Sequence, residues 1–321
     1  MESGRRACLN SRCCDCHYTC GWRLGGYSWV LNHTRHKGEK MKRRIFSAVF
    51  ILIGLLVLAL IIHIKSSDNI NTIELPEEII VLKFEFTNVF LVPINDGYVL
   101  IDNAYEKEYN LFLNYLKNKN ISIKDIKYIL LTHHHDDHVG FLNKIVAENE
   151  SVRIVLAKET AELLRKGKNN MENGGGIVNP TIYTLFRIKQ MLTPSWNLTF
   201  PPYIICESDI IIVEDYFDLT SILGINLVAI HTLGHSSDST TFIYNEKIAF
   251  CGDLASNFLN WAGANYSTLF NEDINIVYES WKKLIDIKID TIATAHGKSF
   301  HIKNLENSIF KNSQSNIVKL F

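Results

Sequence analysis

The sequence predicts an α/β protein, a four-layer αββα sandwich preceded by one N-terminal transmembrane helix. Three observations lead there. An uninterrupted apolar run occupies residues 45–64. From Ile79 onward, short alternating or wholly apolar runs that read as strands are interleaved with segments at helical spacing. Metal-ligand-type side chains then recur at the ends of four of those strands.

The apolar run, Ile45 to Ile64, contains no Asp, Glu, Lys or Arg. Twenty helical residues at about 1.5 Å each span about 30 Å, one hydrocarbon thickness. No amphipathic face is visible, as a helix packed on a soluble core would need. Lys40, Lys42, Arg43 and Arg44 precede the run and Lys65 alone follows it. The expectation is a single-pass membrane protein, N-terminus cytoplasmic and catalytic domain extracytoplasmic. His63-Ile64-Lys65-Ser66-Ser67-Asp68 is a poor signal-peptidase site, so the run reads as an uncleaved signal anchor.

Residues 1–40 differ in composition from the rest. Five of the seven cysteines lie there (Cys8, Cys13, Cys14, Cys16, Cys20), at spacings unlike a zinc finger's two separated ligand pairs. The segment reads as a disordered tail or as a mis-assigned start. On the second reading translation begins at Met41, where Met-Lys-Arg-Arg leads straight into the apolar run. With 33 basic against 34 acidic residues the chain carries no basic field, and no nucleic-acid partner is expected. Only Cys206 and Cys251 lie beyond the tail, which excludes a disulfide scaffold. The expected partners are a small-molecule substrate and the lipid bilayer, through residues 45–64; the oligomeric state stays open.

Residues 67–321 form the predicted globular domain. Ile80-Leu82-Phe84-Phe86 alternates, Val89 to Pro93 is a second strand, and Asn95-Asp96-Gly97 turns the chain into Tyr98–Ile101. Tyr105, Tyr109, Phe112 and Leu116 recur at helical spacing, predicting a helix over Ala104–Lys119. Tyr128–Leu131 is a buried strand; helices are expected at Phe141–Ala147 and Lys158–Lys166, with a strand at Val152–Leu156 between them. Lys166 to Pro202 breaks this rhythm and reads as an insertion, a helical flap at the rim of a cleft. Strands return at Ile210–Val213, Leu227–Ile230, Thr240–Tyr244 and Lys247–Cys251, then a helix at Ile274–Ile285 and a strand at Thr291–Ala295.

His133, His135, Asp137 and His138 follow the strand Tyr128–Leu131 at once, in Thr132-His133-His134-His135-Asp136-Asp137-His138. A loop at a strand end can aim such side chains at one point, and imidazole with carboxylate is a donor set that zinc accepts. An exposed polar loop is the bland alternative. Three further strand ends carry His235 (in Gly234-His235-Ser236-Ser237-Asp238), Asp253 (after Gly252) and His296 (in Ala295-His296-Gly297).

In this order and at these separations, Thr-His-x-His-x-Asp-His, Gly-His-Ser, Gly-Asp and Ala-His-Gly resemble the metallo-β-lactamase superfamily. Leu100-Ile101-Asp102 matches an earlier signature, and the resemblance covers about Ile79 to Phe300. It implies that family's αββα sandwich and two divalent metal ions, zinc first, with iron or manganese as alternatives. It implies one ion on His133, His135 and His235, a second on Asp137, His138 and His296, and Asp253 bridging both. Asp102 would orient the ligand loop without being a ligand. His134 and Asp136 fall at the motif's variable positions.

The implied activity is binuclear hydrolysis, in which a metal-bridging hydroxide cleaves an ester-like bond (thioester, lactone or phosphodiester) and Asp137 and Asp253 serve the chemistry. Asp253 in the bridging position resembles thioesterases, lactonases and phosphodiesterases of the family rather than true β-lactamases. A mononuclear iron dioxygenase of the same fold and a non-catalytic membrane-tethered metal-binding module are the alternatives. For a substrate pocket, Trp196, Phe200 and Tyr203 in the insertion, and Phe258, Trp261 and Tyr266 after Asp253, are the candidates. Packing of these aromatics onto the sandwich stays equally open.

Overall fold

The computed structural model describes residue 46 and residues 72–170, 174–192, 198–312 and 317–319. The chain divides into two units, 1–62 and 63–321, and the second holds both large sheets and every ligand motif. The expected anchor apart from residue 46, the cysteine-rich tail and Trp196 lie outside the described residues. Among the described residues no helix is long and apolar enough to cross a membrane.

Two six-stranded sheets form the body of this second unit. The first runs, edge to edge, Ile80–Lys83, Asn88–Ile94, Gly97–Ile101, Ile126–Leu130, Arg153–Ala157 and Ile210–Ile212. Its first three strands are antiparallel neighbours, as the tight turn at Asn95-Asp96 requires. The remaining pairings are parallel, so each needs a crossover, and the helices Tyr109–Asn118, Leu142–Glu148 and Lys158–Leu164 lie on those connections. The second sheet runs Phe300–His301, Thr291–Ala293, Ile248–Phe250, Thr240–Tyr244, Leu227–His231 and Tyr216–Asp218. Its one parallel pair, Ile248–Phe250 with Thr291–Ala293, is bridged by the helix Ile274–Asp286.

The period-two alternation of strand side chains separates the layers. Phe90, Val92, Val99, Ile101 and Leu130 point inward and meet Ala229, Phe242, Phe250 and Ala293 of the facing sheet, with the Phe90 and Phe250 rings 5.0 Å apart. Their sequence neighbours Leu91, Leu100 and Ile129 point outward against Phe112, Leu116, Phe141 and Ile145 of the covering helices. On the far side Ile243, Ala249 and Ile292 pack on Val277, Trp281 and Leu284. Three cores in succession make four layers, helix–sheet–sheet–helix, as expected.

Several expectations need correction. The strand over Ile80–Phe86 stops at Lys83, because Phe84 N–H bonds the Thr87 carbonyl in a turn. The helix expected over Ala104–Lys119 begins as a 3-10 turn at Glu106–Glu108 and becomes α-helical at Tyr109. The insertion does carry a helix, Pro180–Leu192, but it is more than a flap. Ile182 is buried with Ile177, Val178, Ala262 and Phe270 in a separate small core. Gly176–Ile177 is the middle strand of a third, three-stranded sheet with Phe270–Asn271 and Val318–Lys319. Strand Tyr216–Asp218 and helix Lys303–Asn312 were not expected; the first is three residues long and partly exposed, which weakens any pattern.

Candidate metal centre

Leu130 ends its strand in the middle of the first sheet, and the loop 131–135 then crosses the sandwich end toward the second sheet, with Thr240 N–H on the Thr132 carbonyl at 2.8 Å. The turns carrying His235, Asp253 and His296 leave the second sheet at the same end. Gly252 lets two of these loops touch. Its φ is +52°, and a Cβ there would strike the Thr132 hydroxyl.

Three overlapping triads gather here, with the ligand atoms of each within 4.8 Å of one another: His133, His135 and His235; Asp137, His138 and His296; and His133, His138 and Asp253. In the first, His135 Nδ1 lies 3.1 Å from His133 Nε2 and 3.0 Å from His235 Nε2. In the second, His296 Nε2 lies 3.3 Å from Asp137 Oδ2, and His138 Nε2 lies 3.7 Å from Asp137 Oδ1. Asp253 faces both: Oδ2 is 3.6 Å from His235 Nε2, while Oδ1 is 3.0 Å from His296 Nε2 and 3.4 Å from His138 Nε2. All seven residues expected from the motifs are thus brought together.

The partners behind the rings decide which nitrogen carries a proton. A carbonyl oxygen only accepts, so His235 Nδ1 donates to Phe270 O (2.8 Å) and His296 Nδ1 to Phe86 O (2.7 Å). His138 Nδ1 donates to Asp102 Oδ2 at 2.9 Å. The Thr132 hydroxyl donates to the same oxygen at 2.7 Å and so accepts from His133 Nδ1 at 3.1 Å. In the neutral rings, the Nε2 lone pairs of all four therefore face the cluster. One proton on His135 Nδ1 would satisfy only one of its two neighbours. The buried His135 Nε2, His138 Nε2 and Asp253 Oδ1 have no hydrogen-bond partner. Converging lone pairs, orphaned buried atoms and carboxylates are a donor set that fits divalent cations.

The electrostatics divide the triads. Burial, reinforced by neighbouring imidazoles, holds His133 and His135 well below the usual histidine range; burial also lowers His235. These rings are neutral, the ligating form. Burial also opposes charge on His138 and His296, but nearby carboxylates outweigh it: Asp137 and Asp102 on the first, Asp253 and Asp137 on the second. His138 rises well above the usual value and His296 to about 10. Reciprocally, burial would raise Asp137 and Asp253, yet the paired histidines bring Asp137 down to about 2 and Asp253 well below the carboxylate range. Cys251 takes no part; burial pushes its thiol up to about 12.

Asp102 is placed as expected and does more than expected. It is buried at φ +58°, a left-handed conformation that aspartate tolerates, and accepts from Thr132 N, Thr132 Oγ1 and His138 Nδ1. His134 is not a ligand. Its Nε2 accepts from Asn170 N–H and its Nδ1 donates to Asp238 Oδ1, each at 2.9 Å, tying the ligand loop to the insertion and to the His235 turn. Asp136 pairs twice with the Asn169 amide, and burial raises it to about 6. Asn88 holds the His296 turn through the carbonyls of Thr294, Ala295 and Gly297.

The cleft over the cluster has different walls from those expected. Phe258 lines it. Phe200 and Tyr203 do not: both are buried against the helices of the first sheet, with the Tyr203 hydroxyl on Asp209 at 2.8 Å. Tyr266 packs at a tilt on Phe300, ring centroids 4.7 Å apart, and Trp261 packs on the insertion's small core. The walls come instead from Phe86, Tyr105, Phe186, Lys189, Leu269 and Phe270. Burial, then Asp137 and its neighbours, keeps the Tyr105 phenol protonated. Tyr105 falls at helical spacing with Tyr109, Phe112 and Leu116, which by itself reads as core.

This chain belongs to the metallo-β-lactamase superfamily, whose model matches residues 82–296. Membership implies divalent metal ions, typically zinc. Among curated relatives, the Beta-lactamase-like protein 2 homolog of Drosophila melanogaster is 26% identical over 214 residues, covering 66% of this chain and 58% of that one. Lactamase-like protein aptB of Emericella nidulans is 23% identical over 219 residues, covering 67% and 52%. The chain thus spans little more than half the length of these relatives. Among solved structures, a HARLDQ-motif mutant of the metallo-β-lactamase of Cronobacter sakazakii superposes with a TM-score of 0.53 at 17% identity, covering 76% of this chain and 94% of that one. That likeness establishes a common fold.

Proposed function

We propose that this protein is a binuclear metal-dependent hydrolase acting on an ester-like bond: a thioester, a lactone or a phosphodiester. The observation that carries the reading is Asp253, whose two oxygens face the two triads separately. His133, His135 and His235 would hold one ion, and Asp137, His138 and His296 the other. When bound, such ions lower the pKa of water toward neutrality and polarise the oxygen of the bond under attack.

The chain's own residues supply the rest. Phe270 O, Phe86 O, Thr132 and Asp102 orient four of the imidazoles, so none of these four has to turn as the site fills. Asp137, ionised at neutral pH, is placed to take the proton of the attacking water. The apolar walls exclude competing water, and the protonated Tyr105 offers a hydroxyl to developing negative charge. Metal analysis, followed by a screen of thioesters, lactones, phosphodiesters and a chromogenic cephalosporin, tests the reading. Two ions per chain with turnover of one of the first three classes is the expected result. Turnover of the cephalosporin alone would overturn the substrate assignment.

We further propose that residues 45–64 anchor this domain in a bilayer on its extracytoplasmic side, supported by the charge-free run and its basic N-terminal flank. Protease protection of the native membrane protein, in sealed vesicles of known orientation, decides it.

A further inference from the structure

Several polar groups of the cleft lining help to hold the site. Asn169 is paired with Asp136, Ser256 Oγ donates to the His296 carbonyl at 2.7 Å, and Thr268 Oγ1 lies 3.3 Å from His235 Nδ1. Lys189 differs from these in side-chain type. Among the described residues it is the only lysine or arginine lining the cleft. It projects from the cleft-facing side of the helix Pro180–Leu192, one turn beyond Phe186, which lines the same wall.

An aromatic ring lies beneath its side-chain nitrogen. The ammonium lies over Phe86, 4.3 Å from the ring centroid, within the range of a cation–π contact. Phe86 is also the residue whose carbonyl holds His296, and its ring packs edge-on against Phe258 at 6.2 Å. One residue therefore links the cation, the apolar wall and a metal-ligand histidine. The lysine is half-buried and lies on the cleft surface.

We propose that Lys189 anchors an anionic group on the substrate, so that the natural substrate class is an ester-like compound with a short apolar segment ending in a carboxylate or phosphate. The proposal rests on the hydrolase reading for the bond cleaved; the anchor itself rests only on the cleft. The apolar segment lies along Phe86, Phe258 and Phe186 while the scissile bond sits at the triads. The insertion thus supplies specificity, and the αββα body supplies the chemistry.

The test uses the metal-loaded full chain and three thioesters of matched length: hexanoyl, its carboxylate-ended adipoyl counterpart, and a phosphate-ended counterpart. Their thioether analogues, which cannot be hydrolysed, are measured in parallel by calorimetric binding. The wild type should favour at least one anionic member, by KM and by analogue affinity. In Lys189→Met that preference should shrink by about 10- to 100-fold relative to the hexanoyl compound, and Lys189→Arg should retain most of it. The arm that collapses identifies the anion. A wild type that binds the neutral analogue as well as the anionic ones, or a preference that survives in Lys189→Met, overturns the proposal. If no thioester is cleaved, that reaction is lost from the proposed function, and the analogue affinities still decide the role of Lys189.

Discussion

Asp102 grips His138: its Oδ2 accepts the His138 Nδ1 proton at 2.9 Å while the same carboxylate accepts both Thr132 N–H and Thr132 O–H at 2.7 Å. One side chain therefore orients a ligand of the second triad and the residue preceding a ligand of the first. Asp102→Ala leaves three buried donors unpaired, at about 1–3 kcal/mol each and less than additively. A loss of about 3 kcal/mol in denaturant unfolding is expected, with metal affinity down about 10- to 100-fold. Unchanged metal affinity would show that Thr132 and the sheet suffice to hold the loop.

The two faces of Asp253 predict asymmetric stoichiometry. Asp253→Ala should reduce occupancy at both triads, because each loses an oxygen. His296→Ala should lower chiefly the second ion and leave the all-histidine triad loaded. Metal analysis after dialysis against a weak chelator reads both. One ion in the fully loaded wild type would end the binuclear assignment.

The triads should differ in their proton balance. In the metal-free chain at pH 7, His133, His135 and His235 are neutral, whereas His138 and His296 carry protons. Filling the first triad should release few protons, and filling the second about two, seen calorimetrically as a buffer-dependent enthalpy. The sign for stability follows from linkage. His296 is raised to about 10 from an unfolded value near 6.5, so its contribution is complete below pH 6.5 and is lost as pH rises through 10. Asp137, lowered to about 2, contributes above its unfolded value near 3.9 and loses that contribution as pH falls through 2. The metal-free protein should therefore lose stability between pH 7 and 10, and should do so less when loaded.

Gly234 sets the direction of His235. Its φ is +122°, and a Cβ there would meet the backbone nitrogen of Val277. Gly234→Ala should cost about 2 kcal/mol through strain and overpacking, and should lower metal content by displacing His235. Gly174→Ala is the control: its φ is also positive, at +85°, but a Cβ would meet nothing within 4 Å. Its cost should stay near 1 kcal/mol, with metal content intact.

Two residues of the insertion helix should separate anchoring from recognition. Ile182 is buried in the small core and Phe186 lines the cleft. Ile182→Ala should destabilise by about 2–4 kcal/mol. Phe186→Ala should raise KM several-fold on the best substrate found, with metal content unchanged. If Phe186→Ala loses metal instead, the helix supports the triads and not the substrate.

Much of this protein was legible in the sequence, for a physical reason. Strand and helix periods are local, so the order of elements could be read segment by segment, as could the density of His133, His135, Asp137 and His138 behind Leu131. The recurrence of ligand-type residues at three later strand ends identified His235, Asp253 and His296 without any distance being known. Which face a residue takes is not local. Phe200 and Tyr203 read equally as pocket or core and are core, because the chain returns from the insertion beneath the covering helices and not over the cleft. The carbonyls that select the imidazole tautomers belong to Phe86 and Phe270, and a carbonyl is the same in every residue, so no sequence pattern marks it. Asp102, thirty-six positions from His138, and Lys189, more than one hundred from Phe86, acquired their roles only when sheets and insertion closed around one point. Residue type and spacing determined what chemistry the chain could hold; long-range packing decided which atoms face it.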